Sequence, residues 1–352
     1  MKKTIEKLRR ASEALLDNDE VREVIGWRKG RFFWQGSPCF TAESGQVDSL
    51  DYPVCATVNL SKYLMDMARD EQPSVSSEDD EPEAVALWTR GCEARAVNRL
   101  IADGVIDREA VYLLGFSCPG VVDDDKLRQT VGQDSQIEEA LWADDETGNR
   151  VISVSSGPDT IEVTPEEVLQ DRCLRCTHPE PVIYDQLISD DGSQPASEEE
   201  RFSQLLCTDG GELDERYQYW SEHFDRCIRC YACRNVCPAC NCTECVFDSG
   251  LPQQPDWLSK ASTLSEKSQF HLIRMFHVAG RCIECGACEE VCPVNLPLSE
   301  LMLKPAADID ELFGPHQAGL SDDEIPPLQT YELDDPGLDM KGGGTDDQTP
   351  QL

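Results

Sequence analysis

The sequence predicts an α+β chain in three parts. An N-terminal α/β domain spans residues 1–200, an α-helical, cysteine-rich domain spans 201–318, and an acidic tail, mobile or peripherally draped, spans 319–352. Three observations predict it. Continuous apolar runs alternate with helical periodicity in the first half. Two long cysteine runs framed by helical segments fill the second. An acidic, Ser-rich stretch at 187–200 separates the two, as a domain link does.

Taken in order, residues 4–17 form a helix with Ile5, Leu8, Leu15 and Leu16 on or near one face. Val21–Gly26 is a short apolar run ending in glycine, a first strand. Asn59–Met67 resumes a helical pattern through Leu60, Tyr63, Leu64 and Met67. Asp70–Glu83, rich in Ser, Pro and acid, is an exposed loop. A strand, helix and strand follow at Ala84–Trp88, Glu93–Ala102 and Ala110–Phe116. Two apolar runs joined by a helix argue for an α/β layer rather than a meander. Arg150–Ser155 and Thr160–Val163 pair as a hairpin across Gly157, and Pro165–Gln170 starts a helix. Beyond the link, Glu215–His223 and Ser265–Ala279 are helical, the latter with Leu272, Ile273, Phe276 and Ala279 on one side. After Leu303 the chain turns acidic and rich in Pro and Gly.

At 352 residues the chain can bury a real core. The N-terminus is charged and amphipathic with no apolar h-region, and no apolar run reaches membrane-spanning length. Eighteen cysteines in such a chain belong to a reducing cytoplasm, where clustered thiols mean metal rather than disulfides. The net charge of −37 disfavours nucleic acid, whose phosphates need the opposite sign. An acidic surface poor in lysine fits salt adaptation better than an acidic docking role. Residues 221–300 carry only −3, with seven Lys or Arg against ten Asp or Glu, so this nearly balanced part is the better candidate for protein docking.

The cysteine runs organise the second half. Cys227, Cys230, Cys233 and Cys237 stand in C-x2-C-x2-C-x3-C-P order, and so do Cys282, Cys285, Cys288 and Cys292. This is the run of bacterial ferredoxins with two [4Fe–4S] cubanes. Its short loop turns three thiolates onto one cube, and the fourth, before proline, reaches the other cube. One cluster therefore falls to Cys227, Cys230, Cys233 and Cys292, the second to Cys282, Cys285, Cys288 and Cys237. Zinc ribbons need two pairs with a longer spacer and no third x2 step. With helices framing each run, the second half is an α-helical dicluster ferredoxin domain.

Cys92 and Cys118 each directly follow a strand of the α/β domain, and Cys173 and Cys176 form a C-x2-C pair after its last helix. Cysteines at the carboxyl ends of neighbouring parallel strands face the crevice where α/β proteins place ligands. The four thiolates suffice for a third [4Fe–4S] cluster. Two buried thiols plus an unrelated or zinc-binding pair is the plainer alternative. Cys240, Cys242 and Cys245 could serve a further iron–sulfur or zinc site with Cys207 as fourth ligand, or support the neighbouring cubanes. Cys39 and Cys55 are isolated, as free buried thiols are.

The order strand–Gly-Cys, strand–Cys, Cys-x2-Cys resembles the beta-subunit family of coenzyme F-420 hydrogenases and dehydrogenases. The C-terminal half resembles the iron–sulfur beta subunits of formate dehydrogenases associated with heterodisulfide reductase-like proteins. The resemblance spans roughly residues 15–330 and is strongest in Gly91-Cys-Glu-Ala-Arg95 and in Arg226–Cys237. It implies a cytoplasmic electron-transfer subunit of an anaerobic redox complex, with Cys92, Cys118, Cys173 and Cys176 on the extra cluster. The partners implied are a formate dehydrogenase or hydrogenase catalytic subunit and a heterodisulfide reductase-like flavoprotein. Flavin-carrying members have a Gly-Gly-x-x-Thr-type stretch opening a helix, where backbone N–H groups hold phosphate. This sequence has no counterpart, which argues against FAD. The alternative is a catalytic flavoprotein of the same family that reduces coenzyme F-420 or a nicotinamide, and a third is a zinc scaffold.

No nucleophile arrangement stands out. Arg226, Arg229, Arg234 and Arg281 flank cluster cysteines and would favour the reduced state of an anionic cluster, or pair with surface acids. His223 precedes Cys227 by four and is packed or capped, with proton coupling the alternative. His271 and His277 lie about 240° apart around their helix and share no face.

Overall fold

The computed structural model describes residues 1–32, 34–70, 84–132, 136–188, 194–205, 212–247 and 262–330. Its first half is built on a sheet of five strands: β1 (Glu23–Lys29), β2 (Gly36–Thr41), β3 (Val85–Thr89), β4 (Val111–Phe116) and a late one, Gln186–Ile188. The spatial order is β2-β1-β3-β4 and then Gln186–Ile188 at the edge, with β2 antiparallel to β1 and the remaining pairs parallel. Every residue of β3 is buried, as befits a central parallel strand covered on both faces. Helix Lys2–Asp17 lies over the sheet through Leu8, Leu15 and Leu16. The Trp88 indole donates to Ser12 Oγ at 2.9 Å, so the largest core ring leaves no polar atom unpaired there.

The expected strand, helix and strand appear as β3, helix Gly91–Ala102 and β4, with Thr89 opposite Gly115. The expected hairpin is present as β6 (Arg150–Ser156) and β7 (Asp159–Val163). A further strand, β5 (Glu139–Asp144), pairs with β6 and completes an antiparallel meander beside the main sheet. The late edge strand is β8.

The expected link at 187–200 is partly structured. Its start belongs to β8, residues 189–193 lie outside the described residues, and Ala196 N donates to Cys176 O. Helix Glu198–Arg201 ends in a buried arginine. The loop expected at 70–83 lies outside the described residues except for Asp70, which ends helix Ser61–Asp70.

The second half consists of helices Leu213–Arg226, Leu264–Val278 and Leu298–Phe313 around two short cysteine helices, Ala232–Asn235 and Ala287–Glu290. Helix Leu264–Val278 departs from expectation. Leu272 and Phe276 are exposed, and the buried face is Lys267, Phe270, His271, Arg274 and Val278. Ile273 packs partly against the core of this half and Ala279 is buried, so only Leu272 and Phe276 of the expected stripe face outward. The inner side meets cysteine sulfurs as well as hydrocarbon, and cationic and N–H-bearing side chains suit the sulfurs.

Residues 314–330 drape along helix Gly91–Ala102. Arg95 Nε donates to Ala318 O, Asn98 Nδ2 to Gly319 O and Arg99 Nη1 to Glu324 O. Gly319 has φ +80°, and a β-carbon there would lie 2.1 Å from Arg95 O, so only glycine permits this approach. The rest of the tail, 331–352, lies outside the described residues.

Candidate cluster sites

Both strand-end cysteines reach one crevice. Cys92 opens the helix after β3, and Cys118 follows β4. The segment bearing Cys173 and Cys176 is brought over them by one contact that needs glycine: a β-carbon on Gly91 would lie 1.8 Å from His178 O. Cys118 N then donates to Pro179 O at 3.0 Å. The result is a cavity of about 1470 Å³ lined by Cys92, Cys118, Cys173 and Cys176, and also by Cys285 of the second cysteine run. Behind it, Arg90 and Glu93 form a fully buried ion pair, Nη2 to Oε1 at 2.5 Å. Arg90 also donates to Ala56 O and Val58 O and stacks 4.5 Å above the Trp27 ring, so its charge is satisfied.

Burial raises the thiol pKa of Cys92, of Cys118 and of Cys176, the last to about 12, and a neighbouring cysteine of the group raises each of these three further. Such thiols give up their protons together only to a cationic centre, a donor chemistry that fits iron.

In the second half the two runs have matching loops. Arg229 and Tyr231 in the first, Glu284 and Gly286 in the second, all have φ between +53° and +63°. These left-handed steps fall at equivalent places and curl each x2 loop around its cysteines. Arg229 N donates to Cys227 Sγ at 3.3 Å and Leu296 N to Cys292 Sγ at 3.4 Å.

Cys227, Cys230, Cys233 and Cys292 line one small cavity, with Phe270 and His271 as part of its wall. Cys237 acts electrostatically on Cys282, Cys285 and Cys288. Cys237 also acts on Cys233, so it lies near sulfurs of both runs. Cys233 is pushed up to about 11 and Cys282 to about 12, chiefly by burial.

Cys240 turns its thiol onto Cys237, whose pKa falls to about 5 chiefly because of that hydrogen bond. Cys242 is exposed and Cys245 half-buried. Among the described residues no three His, Cys, Asp or Glu side chains, those of the two cysteine runs included, are already drawn together as around a single metal ion. Cys207 lies outside the described residues. Cys39 and Cys55 are buried core thiols, Cys39 Sγ lying 3.5 Å from Ser49 Oγ.

The flanking arginines are engaged by protein. Arg226 contacts His223 Nδ1 and Asn295 O, and Arg229 donates to the Tyr231 hydroxyl. Arg234 lies over the Tyr231 ring, and Arg281 Nη2 meets Asp103 Oδ2 at 2.6 Å. His223 packs edge-on against Tyr219. His271 is buried and His277 exposed.

Three polar residues near the sulfurs escape sequence reasoning. Arg172 acts on Cys173, Cys92 and Cys285, and a β-carbon on Gly286 would lie 2.4 Å from its Cδ. Arg274 and His271 lie on the buried face of helix Leu264–Val278. The signal for those two was a polar stripe, Lys267, His271 and Arg274, at helical spacing between the cysteine runs.

One carboxylate joins the halves. Glu284, beside Cys285, receives Arg201 at 2.6 Å, with Arg175 and Arg95 at 3.9 and 4.0 Å. Together these guanidinium groups hold its carboxyl below the usual range despite burial.

Residues 223–296 match the model of the 4Fe-4S dicluster domain. The chain is similar along most of its length to the beta subunit of F420-dependent formate dehydrogenase of Methanocaldococcus jannaschii, with 23% identity over 90% of this chain and 92% of that one. The beta subunit of F420-dependent formate dehydrogenase 1 of Methanococcus maripaludis is 24% identical over 89% of this chain and 90% of its own. A shorter match, 36% identical over 22% of this chain and 13% of the other, is to one component of an ion-translocating oxidoreductase complex of Buchnera aphidicola. Among the described residues no helix is long and apolar enough to cross a membrane.

Proposed function

We propose that this chain is an iron–sulfur electron-transfer subunit of a formate dehydrogenase-type complex, with three [4Fe–4S] sites in a row. The outer site is Cys227, Cys230, Cys233 and Cys292. The middle one is Cys282, Cys285, Cys288 and Cys237, and the inner one is Cys92, Cys118, Cys173 and Cys176. When bound, the clusters supply one-electron chemistry. The observation that carries the reading is the position of Cys285. It belongs to the middle set and lines the same cavity as the inner four thiols.

The protein's own part is to hold, bury and tune. Glu284 and its three arginines fix the middle loop against the α/β half, and Arg172 places a positive charge between the middle and inner sulfurs. Backbone N–H groups donate to cysteine sulfur at Cys118, Cys227 and Cys292. The outer set comes nearest solvent, since Cys230 is exposed, so a redox partner is served there. The relatives' names support a formate dehydrogenase catalytic subunit as partner. A heterodisulfide reductase-like flavoprotein at the other end belongs to the same proposal, as does a reducing, cytoplasmic setting that keeps the thiols free.

One observation favours the flavin-containing alternative. A cavity of about 1470 Å³ exceeds the roughly 300–1,000 Å³ of ordinary ligand sites, and Lys2, Lys3, Trp142 and Arg150 line it along with the thiols. Content analysis of protein prepared without oxygen separates the two. The relay reading expects about twelve irons per chain and no flavin, four for each of three cubanes. One flavin per chain would make the catalytic reading the better one.

A further inference from the structure

Helix Leu264–Val278 buries a guanidinium and an imidazole beside Phe270 and Val278 while leaving an aromatic ring outside. Phe276 is 67% exposed while Arg274 is 2% and His271 1% exposed. Burying a guanidinium is costly unless something compensates its charge. Arg274 has one conventional bond, Nη2 to Cys233 O at 3.2 Å. Its side chain also hydrogen-bonds the Cys237 and Cys240 thiols. Its Nε and Nη1 have no hydrogen-bond partner, and no carboxylate among the described residues pairs with it. The charges that act on it are Cys237, Cys288, Cys240 and Cys233, drawn from both the middle and outer sets. Both ring nitrogens of His271 are likewise unpartnered. That ring is stacked on Phe224 at 4.7 Å and forms part of the wall of the outer cavity.

We propose that the inner face of this helix sets the reduction potentials of the two ferredoxin clusters, Arg274 as a shared positive charge between them and His271 as an N–H donor to the outer one. The inference rests on the cluster assignment above. Each cluster gains one electron on reduction. Arg274, a guanidinium, keeps its charge in both states. A fixed cation stabilises the more negative, reduced cluster and raises its potential. An N–H donated to sulfur acts in the same direction. Both are positioning residues, since neither carries the electron.

The test is an EPR-monitored redox titration of the full chain, prepared without oxygen, as wild type, R274K, R274M, R274Q and H271F. In R274M both potentials fall, the nearer cluster's by enough to lower its reduced-to-oxidised ratio tenfold at fixed poise, which is about 59 mV for one electron. R274K restores most of that loss, and H271F lowers the outer potential alone. Iron loss in R274M and R274Q with retention in R274K also supports a needed charge. Iron loss in all three Arg274 variants, or full iron with unmoved potentials, overturns the proposal. Wild-type protein lacking [4Fe–4S] signals would instead overturn the cluster assignment itself.

Discussion

A methyl group on residue 91 would lie 1.8 Å from the carbonyl oxygen of His178, and that carbonyl belongs to the segment that delivers Cys176. Gly91→Ala therefore pushes this segment off the strand ends. Overpacking of this kind costs about 1–3 kcal/mol, and urea unfolding should show a lower midpoint with an unchanged slope. The neighbouring Glu93 is buried opposite Arg90 at 2.5 Å. Glu93→Gln leaves a buried guanidinium uncompensated, and breaking such a pair costs about 3–5 kcal/mol. At this scale the cysteines of the two runs were the most legible residues, because their spacing marks the dicluster domain that the family model matches. Arg274, His271 and Arg172 were not legible. Arg172 carried no local signal, and the polar stripe that marked Arg274 and His271 reads as a solvated face until its neighbours are known.

Elements were legible where their burial repeats regularly. β3 and β4 are nearly unbroken apolar runs, and the helix between them carries its own periodicity. β2, Gly-Ser-Pro-Cys-Phe-Thr, has no clean alternation and is an edge strand held by β1, so it passed unread. β8 has three residues and is defined only by pairing with β4. The orientation of helix Leu264–Val278 failed for a physical reason. Periodicity locates the apolar residues but assumes that the interior is hydrocarbon throughout, and here it is hydrocarbon and sulfur together. If that account holds, Leu272→Ser and Phe276→Ser leave the stability of the isolated chain within about 0.5 kcal/mol, as surface changes do. A core-facing stripe would lose several times more, and a urea titration distinguishes them.

The two halves are held as one molecule by charges that no sequence pattern announces. Asp103, at the end of helix Gly91–Ala102, takes Arg99 at 2.8 Å, Arg281 at 2.6 Å and Asn241 at 2.7 Å. These partners lower its pKa despite burial. A lowered folded-state value means that Asp103 stabilises fully above the ordinary carboxylate pKa and loses its contribution as pH falls through the lowered one. Asp103→Asn should thus cost about 1–2 kcal/mol near neutrality, since the half-buried site screens the pairs, and the gap to wild type should close only in acid. A gap unchanged by acid would contradict the ionic account of this seam. The tail fits the same picture, since residues 314–330 close over helix Gly91–Ala102 through Arg95, Asn98 and Arg99.

The central claim is that Cys92, Cys118, Cys173 and Cys176 form one site beside the middle cluster. Iron and acid-labile sulfide counted side by side in wild type and Cys118→Ser, both prepared without oxygen, test it most directly. The account predicts about twelve irons in wild type and about eight in the variant, with the two ferredoxin signals intact. Equal iron in the two proteins would contradict it.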